Sequence, residues 1–246
     1  MIRVAAVGDV HVGEEVDEGL RRDLATLGEC ADVLLLAGDL TRHGTVAETR
    51  CLTAVLDTVD VPIVAVLGNH DHHSDEVDGV VSELEGAGVE VLEGTSTTVE
   101  VGAATLGIAG AKGFGGGFVG ASASEFGEPE MKSFVRHTRD VADRLRSALQ
   151  DLRADRRIAL LHYSPIEDTL HGERLEIYPF LGSYLLAEAV DQGGADLVLH
   201  GHAHAGSERG VTPGGIRVRN VARPLIQRSF RLFELDEPSP AASAAS

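Results

Sequence analysis

The stretch IRVAAVGDVH, residues 2–11, joins a short apolar run to an aspartate and a histidine. The run is continuous and β-branched rather than alternating, which predicts a strand covered on both faces. The arrangement recurs twice: DVLLLAG (32–38) leads into Asp39, and IVAVLG (63–68) leads into Asn-His-Asp. Because helix-length amphipathic segments separate these runs, we predict an α/β fold with parallel strands and right-handed crossovers.

The rest of the chain continues the alternation. Three apolar runs in close succession over residues 89–111 predict a meander, and an apolar stripe with helical spacing predicts a long helix over 130–152. We expect the segment 163–180 to form a loop over a site. The predicted helices are 14–29, 46–59, 76–87, 130–152 and 182–191, and the later strands are 157–162, 196–201, 216–222 and 230–235.

Composition limits the class of protein. With 43% apolar residues the chain can bury a core without disulfides, and its two cysteines, Cys30 and Cys51, form neither a metal-ligand pattern nor a disulfide framework. We find no repeat and no linker, so residues 1–235 are expected to form a single domain. The small, polar tail 236–246 is expected to be disordered.

Charge and hydropathy bear on partners and location. The net charge of −18 repels polyanions, so non-specific binding to nucleic acid is not expected. The N-terminus lacks the pattern of a signal peptide, and no apolar run approaches the ~18 residues of a membrane span. We therefore expect a cytoplasmic protein that does not bind membranes.

Polar side chains follow five predicted strands at the point where each strand ends. Any one of them has an ordinary interpretation, as a helix cap, a turn residue or a hydrogen-bonded core histidine. Five such clusters at the carboxyl ends of strands in one sheet would share a rim, which predicts a common metal site. The candidate ligands are Asp9, His11, Asp39, Asn69, His162, His202 and His204.

The chemistry of these ligands limits the metal. Carboxylate, imidazole and amide oxygen without thiolate suit Mn, Fe, Zn or Co and argue against a structural zinc site. Seven candidates exceed the needs of one tetrahedral ion but fit two ions that share a bridging carboxylate. Such a pair, roughly 3.5–4 Å apart, is the clamp used for in-line displacement at phosphorus.

The ordered pattern D-x-H, G-D, G-N-H-[DE], H, G-H-x-H resembles that of the calcineurin-like metallophosphoesterases. It reads here as DVH (9–11), GD (38–39), GNHD (68–71), His162 and GHAH (201–204). The resemblance implies a four-layer α/β/β/α sandwich, in which two mixed sheets are flanked by helices. It also implies roles: one ion is held by Asp9, His11 and His204, the other by Asn69, His162 and His202, and Asp39 bridges them.

The resemblance further implies that His70 protonates the leaving alkoxide as general acid. A water held between two divalent ions has its pKa lowered far enough to supply hydroxide near neutral pH, and histidine titrates in the range that a general acid needs. Asp71 is a second catalytic candidate, because it could orient His70. An ordinary helix-capping role for Asp71 is equally consistent with the sequence.

Departures from the family pattern narrow the choice of branch within the family. Residues 38–44, GDLTRHG, lack the second Asp and the Arg of the G-D-x-x-D-R-G motif that protein serine/threonine phosphatases carry. This sequence looks more like that of the compact bacterial branch, which contains cyclic-nucleotide phosphodiesterases. The glycines of GGGFVG (115–120) fit a dinucleotide template only superficially, because no apolar helix opens at their end.

The sequence thus favours a dinuclear metal-dependent hydrolase of small-molecule or nucleotide phosphate esters, most simply a phosphodiesterase. A phosphomonoesterase or nuclease with the same centre stays open, and so does a non-catalytic, metal-poor interaction scaffold. Substrate choice is assigned to loops 112–129 and 163–180, where Lys112 is a candidate substrate contact. The substrate, the metal pair and the oligomeric state are not encoded in any recognisable pattern.

Four further histidines are given structural roles. His72 and His73 follow the third motif and are expected to face solvent, and His137 is expected on the polar side of a helix. His200 is expected to point into the fold or towards a residue that supports the metal ligands.

Overall fold

The structure is a computed structural model that describes residues 1–15 and 17–236. Its strands and helices alternate over the first third of the chain, as predicted. The elements are β1 Ile2–Val7, α1 Glu18–Leu24, β2 Val33–Ala37, α2 Val46–Leu56, β3 Ile63–Val66, α3 Val77–Gly86, β4 Val89–Val91, β5 Thr95–Val101, β6 Ala104–Ala111, β7 Gly117–Phe118, β8 Ala121–Ser122, α4 Pro129–Asp151, β9 Arg156–Leu161, α5 Tyr178–Leu181, α6 Tyr184–Gly193, β10 Leu197–His200, β11 Arg209–Val211, β12 Arg217–Asn220, α7 Arg223–Ile226 and β13 Arg231–Leu235.

Two mixed sheets organise the molecule. The first has the strand order β13-β1-β2-β3-β4, in which β1 to β4 run parallel and β13 pairs antiparallel with β1. The second has the order β11-β12-β10-β9-β6-β5, parallel through its centre and antiparallel at both edges. The helices that connect parallel neighbours cover the outer faces, as crossover connections require.

Alternating side chains of the strands feed two different cores. In β2, for example, Val33 and Leu35 pack between the two sheets, whereas Leu34 and Leu36 pack against the outer helices. Helices α1, α2 and α3 cover the first sheet, and α4 and α6 cover the second. The layers are therefore helix, sheet, sheet, helix, which confirms the predicted four-layer α/β/β/α fold.

The carboxyl ends of the parallel strands of both sheets meet at one edge of the sandwich. The backbone N–H of Gly8, just after β1, donates to the Val221 carbonyl, just after β12, over 2.9 Å. Likewise, Nδ1 of His162, just after β9, lies 2.9 Å from the carbonyl of Ala37 at the end of β2. The rim predicted from the sequence is thus assembled from two sheets rather than one.

Two local predictions are wrong. The meander expected over residues 89–111 is split, because β4 joins the first sheet beside β3 while β5 and β6 form a hairpin in the second. The helix expected over 14–29 is shorter, since Asp17 caps α1 by accepting the N–H groups of Gly19 and Leu20. Pairing partners that are distant in sequence decide the first case, and a capping side chain decides the second.

The expectation of a disordered tail at 236–246 falls outside the described residues, apart from Asp236. The structure therefore leaves it as a prediction. Among the helices of residues 1–15 and 17–236, none combines the length and the apolarity that a membrane crossing demands. Cys30 and Cys51 are free and half-buried.

Candidate metal centre

The candidate ligands lie on loops that immediately follow strands. Their backbone is unusual, because Asp9, His11, Asp39 and His202 adopt positive φ angles of 56°, 45°, 50° and 69°. Non-glycine residues adopt this left-handed conformation at an energetic cost, and such strain concentrates at functional sites. The sharp turns aim side chains from separate strands at one point.

A first group of side chains combines Asp9, His11, Asp39 and His204. One potential ligand atom from each lies within 4.8 Å of all the others. Nε2 of His204 lies 2.9 Å from Oδ1 of Asp9, and Nε2 of His11 lies 3.7 Å from Oδ2 of Asp39. These four residues come from the ends of β1, β2 and β10.

A second group combines Asp39, His162 and His202 within the same 4.8 Å limit. Nε2 of His162 is 3.3 Å from Oδ1 of Asp39 and 3.0 Å from Oδ1 of Asn69. The imidazoles of His162 and His202 form a tilted contact with their centroids 4.7 Å apart. Asp39 belongs to both groups, so the structure brings all seven candidate ligands together around one shared carboxylate.

Burial governs the electrostatics of these groups. Burial raises the pKa of Asp9 to about 6, even though its hydrogen bond with His204 acts in the opposite direction. Burial also lowers the pKa of His202 to about 3 and holds the pKa of His162 well below its ordinary value. The Asp9 carboxylate is thus destabilised as an anion, and the two imidazoles are neutral and keep a lone pair.

Several of the candidate ligand atoms have a lone pair but no hydrogen-bond donor that faces it. Because Nδ1 of His162 donates to the Ala37 carbonyl, its Nε2 is unprotonated and faces two oxygen acceptors, on Asn69 and Asp39. Nε2 of His11 is buried without a hydrogen-bond partner among the described residues. Converging acceptors with no donor between them need a cation, and O and N donors of this kind suit divalent transition metals. The residues present therefore fit a metal centre.

The glycines of the motifs have a steric function. A Cβ on Gly68 would collide with Oδ1 and the backbone nitrogen of Asp39, and a Cβ on Gly201 would collide with Oδ2 of Asp9. The glycine that precedes the ligands of one motif thus lets the carboxylate of another motif approach. This explains why the motifs read G-N-H and G-H-x-H.

His70 lies beside the first group without joining it. Its Nδ1 is 2.8 Å from the carbonyl of Arg42, so Nδ1 carries a proton and donates. Its Nε2 lies 4.0 Å from Oδ2 of Asp39, and its ring makes an edge contact with His11 at 4.5 Å between centroids. The backbone N–H of His70 also donates to Oδ1 of Asp39 over 2.8 Å.

Asp71 is placed differently from its neighbour. Its buried carboxylate accepts the backbone N–H groups of Leu40, Thr41 and Gly68 over 3.2, 2.8 and 2.8 Å and the Thr41 hydroxyl over 2.7 Å. Within the described residues, none of its hydrogen bonds reaches the His70 ring, which Arg42 holds instead. Asp71 therefore ties together the loops that follow β2 and β3.

The four histidines that were given structural roles behave as expected. His72 and His73 are exposed, and so is His137, whose ring nevertheless packs edge-on against Phe114 at 4.6 Å. His200 is buried, and its Nε2 lies 2.9 Å from the Thr169 hydroxyl.

Sequence reasoning missed Tyr163, which directly follows a candidate ligand. Its ring lies 4.4 Å from that of His202 and 5.5 Å from that of His162, and burial raises its pKa to about 12. An aromatic next to a strand-end histidine is too common a pattern to signal a site. The side chain of Lys112 approaches the same ring, with Nζ 5.4 Å from its centroid, and burial lowers the pKa of this ammonium.

A four-layer sandwich with an Asp/His cluster at the strand ends fits the metal-dependent phosphoesterases as a class of protein. A family model described as calcineurin-like phosphoesterase matches residues 2–206, and the chain belongs to this family. It is therefore a hydrolase of phosphate esters, in a family that depends on metal ions.

Solved structures agree on the fold. Phosphopantetheinyl hydrolase from Mycobacterium tuberculosis is 16% identical, with a TM-score of 0.67 over 95% of this chain and 96% of that chain. Protein TT1561 of Thermus thermophilus is 15% identical, with a TM-score of 0.55 over 95% and 98% of the two chains. A purple acid phosphatase from yellow lupin is 14% identical, with a TM-score of 0.53 over 97% of this chain and 46% of that chain. A comparison with curated proteins gives no match.

Proposed function

We propose that this chain is a dinuclear metal-dependent phosphodiesterase whose catalytic domain spans residues 1–235. The observation that carries the proposal is the pair of side-chain groups that share Asp39. Asp9, His11 and His204 would hold one ion and Asn69, His162 and His202 the other, with Mn, Fe, Zn or Co as candidates. When bound, the ions would supply Lewis-acid stabilisation of the phosphoryl oxygens and activation of water.

His70 is the proposed general acid. Because Nδ1 donates to the Arg42 carbonyl, the proton available for transfer is on Nε2, the atom that faces Asp39 across 4.0 Å. A proton on Nε2 is the one that a general acid in this position would pass to a leaving alkoxide. His70 is half-buried at the edge of the centre, where a leaving group can reach it.

Asp71 is proposed as a positioning residue. By binding the backbone after β2 and β3 simultaneously, its carboxylate fixes the loop of Asp39 relative to the loop of Asn69 and His70. This supports metal binding and acid catalysis without direct contact between Asp71 and the substrate.

The preference for diesters is supported by the second and third motifs, which resemble the branch with cyclic-nucleotide phosphodiesterases. The test compares bis(p-nitrophenyl) phosphate with p-nitrophenyl phosphate, using protein loaded separately with Mn, Fe, Zn and Co. We expect turnover of the diester to exceed that of the monoester. Hydrolysis of the monoester alone would make the protein a phosphomonoesterase and overturn the diesterase proposal.

Metal analysis tests the centre itself. We expect about two ions per chain after loading and loss of turnover after chelation, as two ligand groups sharing a carboxylate require. Substoichiometric metal, with no stimulation of turnover by any of the four ions, would contradict the proposal and favour an interaction scaffold. The cytoplasmic location inferred from the sequence stays a prediction.

A further inference from the structure

Lys112 stands out in composition and in placement. The chain has 21 basic residues, and only two of them, Lys112 and Lys132, are lysines. Lys112 directly follows β6, and its carbonyl accepts the backbone N–H groups of His162 and Tyr163, each over 3.0 Å. The main chain of Lys112 is therefore fixed to the strand end that carries a candidate metal ligand.

The ammonium of Lys112 is held by rings rather than by acids. Its Nζ lies 5.1 Å from the centroid of Phe114 and 5.4 Å from that of Tyr163. The nearby carboxylate of Glu93 is used elsewhere, accepting the backbone N–H of Lys112 over 3.1 Å and facing Arg144 at 3.7 Å. No carboxylate of the described residues forms an ion pair with this ammonium.

An unpaired, half-buried ammonium destabilises the folded protein, and it is unexpected in a chain with so many acidic residues that could pair with it. A half-buried ammonium loses hydration, and cation–π contacts replace only part of it. The chain carries 39 acidic residues, yet none is placed within pairing distance of this cation in the part of the chain that the structure describes. An unpaired, partly desolvated cation beside a candidate metal centre would attract a negative charge on a bound substrate.

The ammonium is also close to the centre. The ring of Tyr163 is near both the ammonium and the imidazole of His202, whose centroid lies 4.4 Å from that of Tyr163 in a tilted contact. Phe114, under the ammonium, also lines an open cavity of about 590 Å³ with Phe134 and His137. The ring beneath the ammonium thus borders open space, lined in part by Glu130, with room for a part of the substrate other than the phosphoryl group under attack.

We propose that Lys112 binds a second oxyanion of the substrate, so that the preferred substrates are phosphate esters with another carboxylate or phosphate away from the scissile bond. This inference rests on the proposed function of the neighbouring centre. A lysine suits the role because its compact, flexible ammonium is a point charge that accepts oxyanions of different shapes. Contacts with the rings of Tyr163 and Phe114 hold the ammonium beside the strand end that carries His162.

The test uses two probes of nearly equal shape, bis(4-carboxyphenyl) phosphate and bis(4-carbamoylphenyl) phosphate. Both are diesters with the same substituent on each aryl group, so the result does not depend on which aryl group leaves. The quantity measured is the ratio of kcat/KM for the charged probe to that for the neutral probe. We expect this ratio to fall about tenfold in Lys112→Met, since a charge-assisted hydrogen bond is lost.

Matched variants control for folding and for net charge. Lys112→Gln should lower the ratio as Lys112→Met does, and Lys112→Arg should retain most of it. Lys132→Met removes the same charge from helix α4 and should keep the ratio of the wild type. If Lys112→Met and Lys112→Gln leave the ratio unchanged, or lower kcat/KM for both probes equally, the inference is wrong.

A binding measurement separates this inference from the proposed function. Dissociation constants of both probes are determined calorimetrically with the metal-loaded protein. If neither probe is hydrolysed but the wild type binds the charged probe more tightly and Lys112→Met does not, the diesterase proposal fails and the role of Lys112 stands. If the probes are hydrolysed and the wild type shows no preference that depends on Lys112, only the role of Lys112 fails.

Discussion

Aspartates occupy both ends of the parallel strands in this molecule, and the two sets do different work. At the amino ends, Asp32, Asp155 and Asp196 each precede a strand and accept the backbone N–H of the neighbouring strand, over 2.7, 2.9 and 2.8 Å. Each also donates its own N–H to the same neighbour. These carboxylates complete the hydrogen bonding of the sheet where it begins.

At the carboxyl ends, Asp9 and Asp39 are more deeply buried, at 2% and 1% exposure, and lie on left-handed backbone. Their carboxylates face each other and a set of histidines. The mutual repulsion of Asp9 and Asp39 helps burial to raise the pKa of Asp9. Aspartates at the amino ends of the strands therefore stabilise the fold. Those at the carboxyl ends destabilise it, and a bound cation would offset that destabilisation.

Asp39→Asn is expected to have the largest effect. The substitution removes the carboxylate common to both ligand groups, so both ions should bind more weakly and turnover should fall to background. Metal content by mass spectrometry and kcat/KM would be measured together. The substitution removes one of two buried carboxylates that repel each other. After a chelator has removed the metal, the variant should therefore be at least as stable as the metal-free wild type. Two tightly retained ions in this variant would contradict a bridging role for Asp39.

His70→Asn should reduce turnover without emptying the site. The candidate acid lies outside both ligand groups, so metal content should match that of the wild type while kcat falls about 10²–10⁴-fold. The loss should be greatest for diesters whose leaving groups are poor, because these depend most on a proton. A loss of metal comparable to that of Asp39→Asn would show that His70 is a ligand and not an acid.

Much of this site could be predicted from the sequence, because its signal is local. Asp9, Asp39 and His162 each follow a recognisable apolar strand, and parallel strands place their carboxyl ends together. What could not be predicted depends on contacts distant in sequence. The pairing of β4 with β3, the meeting of two sheets at one rim and the anchoring of Asp71 to the β2 loop are of this kind.

Gly68→Ala tests how closely the strand ends must approach. An added Cβ would meet the carboxylate of Asp39 and also its backbone nitrogen, which cannot turn aside as a side chain can. Displacement of Asp39 by a fraction of an ångström to about 1 Å should weaken metal retention and lower kcat/KM about 10–10²-fold. Gly86→Ala is the matched control, since its Cβ would enter open space in helix α3. Equal effects of the two substitutions would exclude a steric role for Gly68.

Asp32→Asn addresses the opposite end of the sheet and should have the smallest effect. Its hydrogen bond with Arg3 lowers the pKa of Asp32, so its carboxylate stabilises the folded state when ionised. For a pKa lowered by folding, this stabilisation is complete above the unfolded value, about 3.9, and is lost as pH falls through the folded value. The variant should therefore melt below the wild type at pH 7 with kcat/KM unchanged, and the two melting curves should converge below about pH 4.

Asp140→Asn, which removes an exposed carboxylate from helix α4, is the control for the change in net charge. It should not reproduce the pH-dependent difference. If Asp32→Asn instead lowered turnover or metal content, the two ends of the strands would not be independent. The aspartates that begin the strands would then share in holding the centre, and the division between a stabilising and a functional end would be wrong.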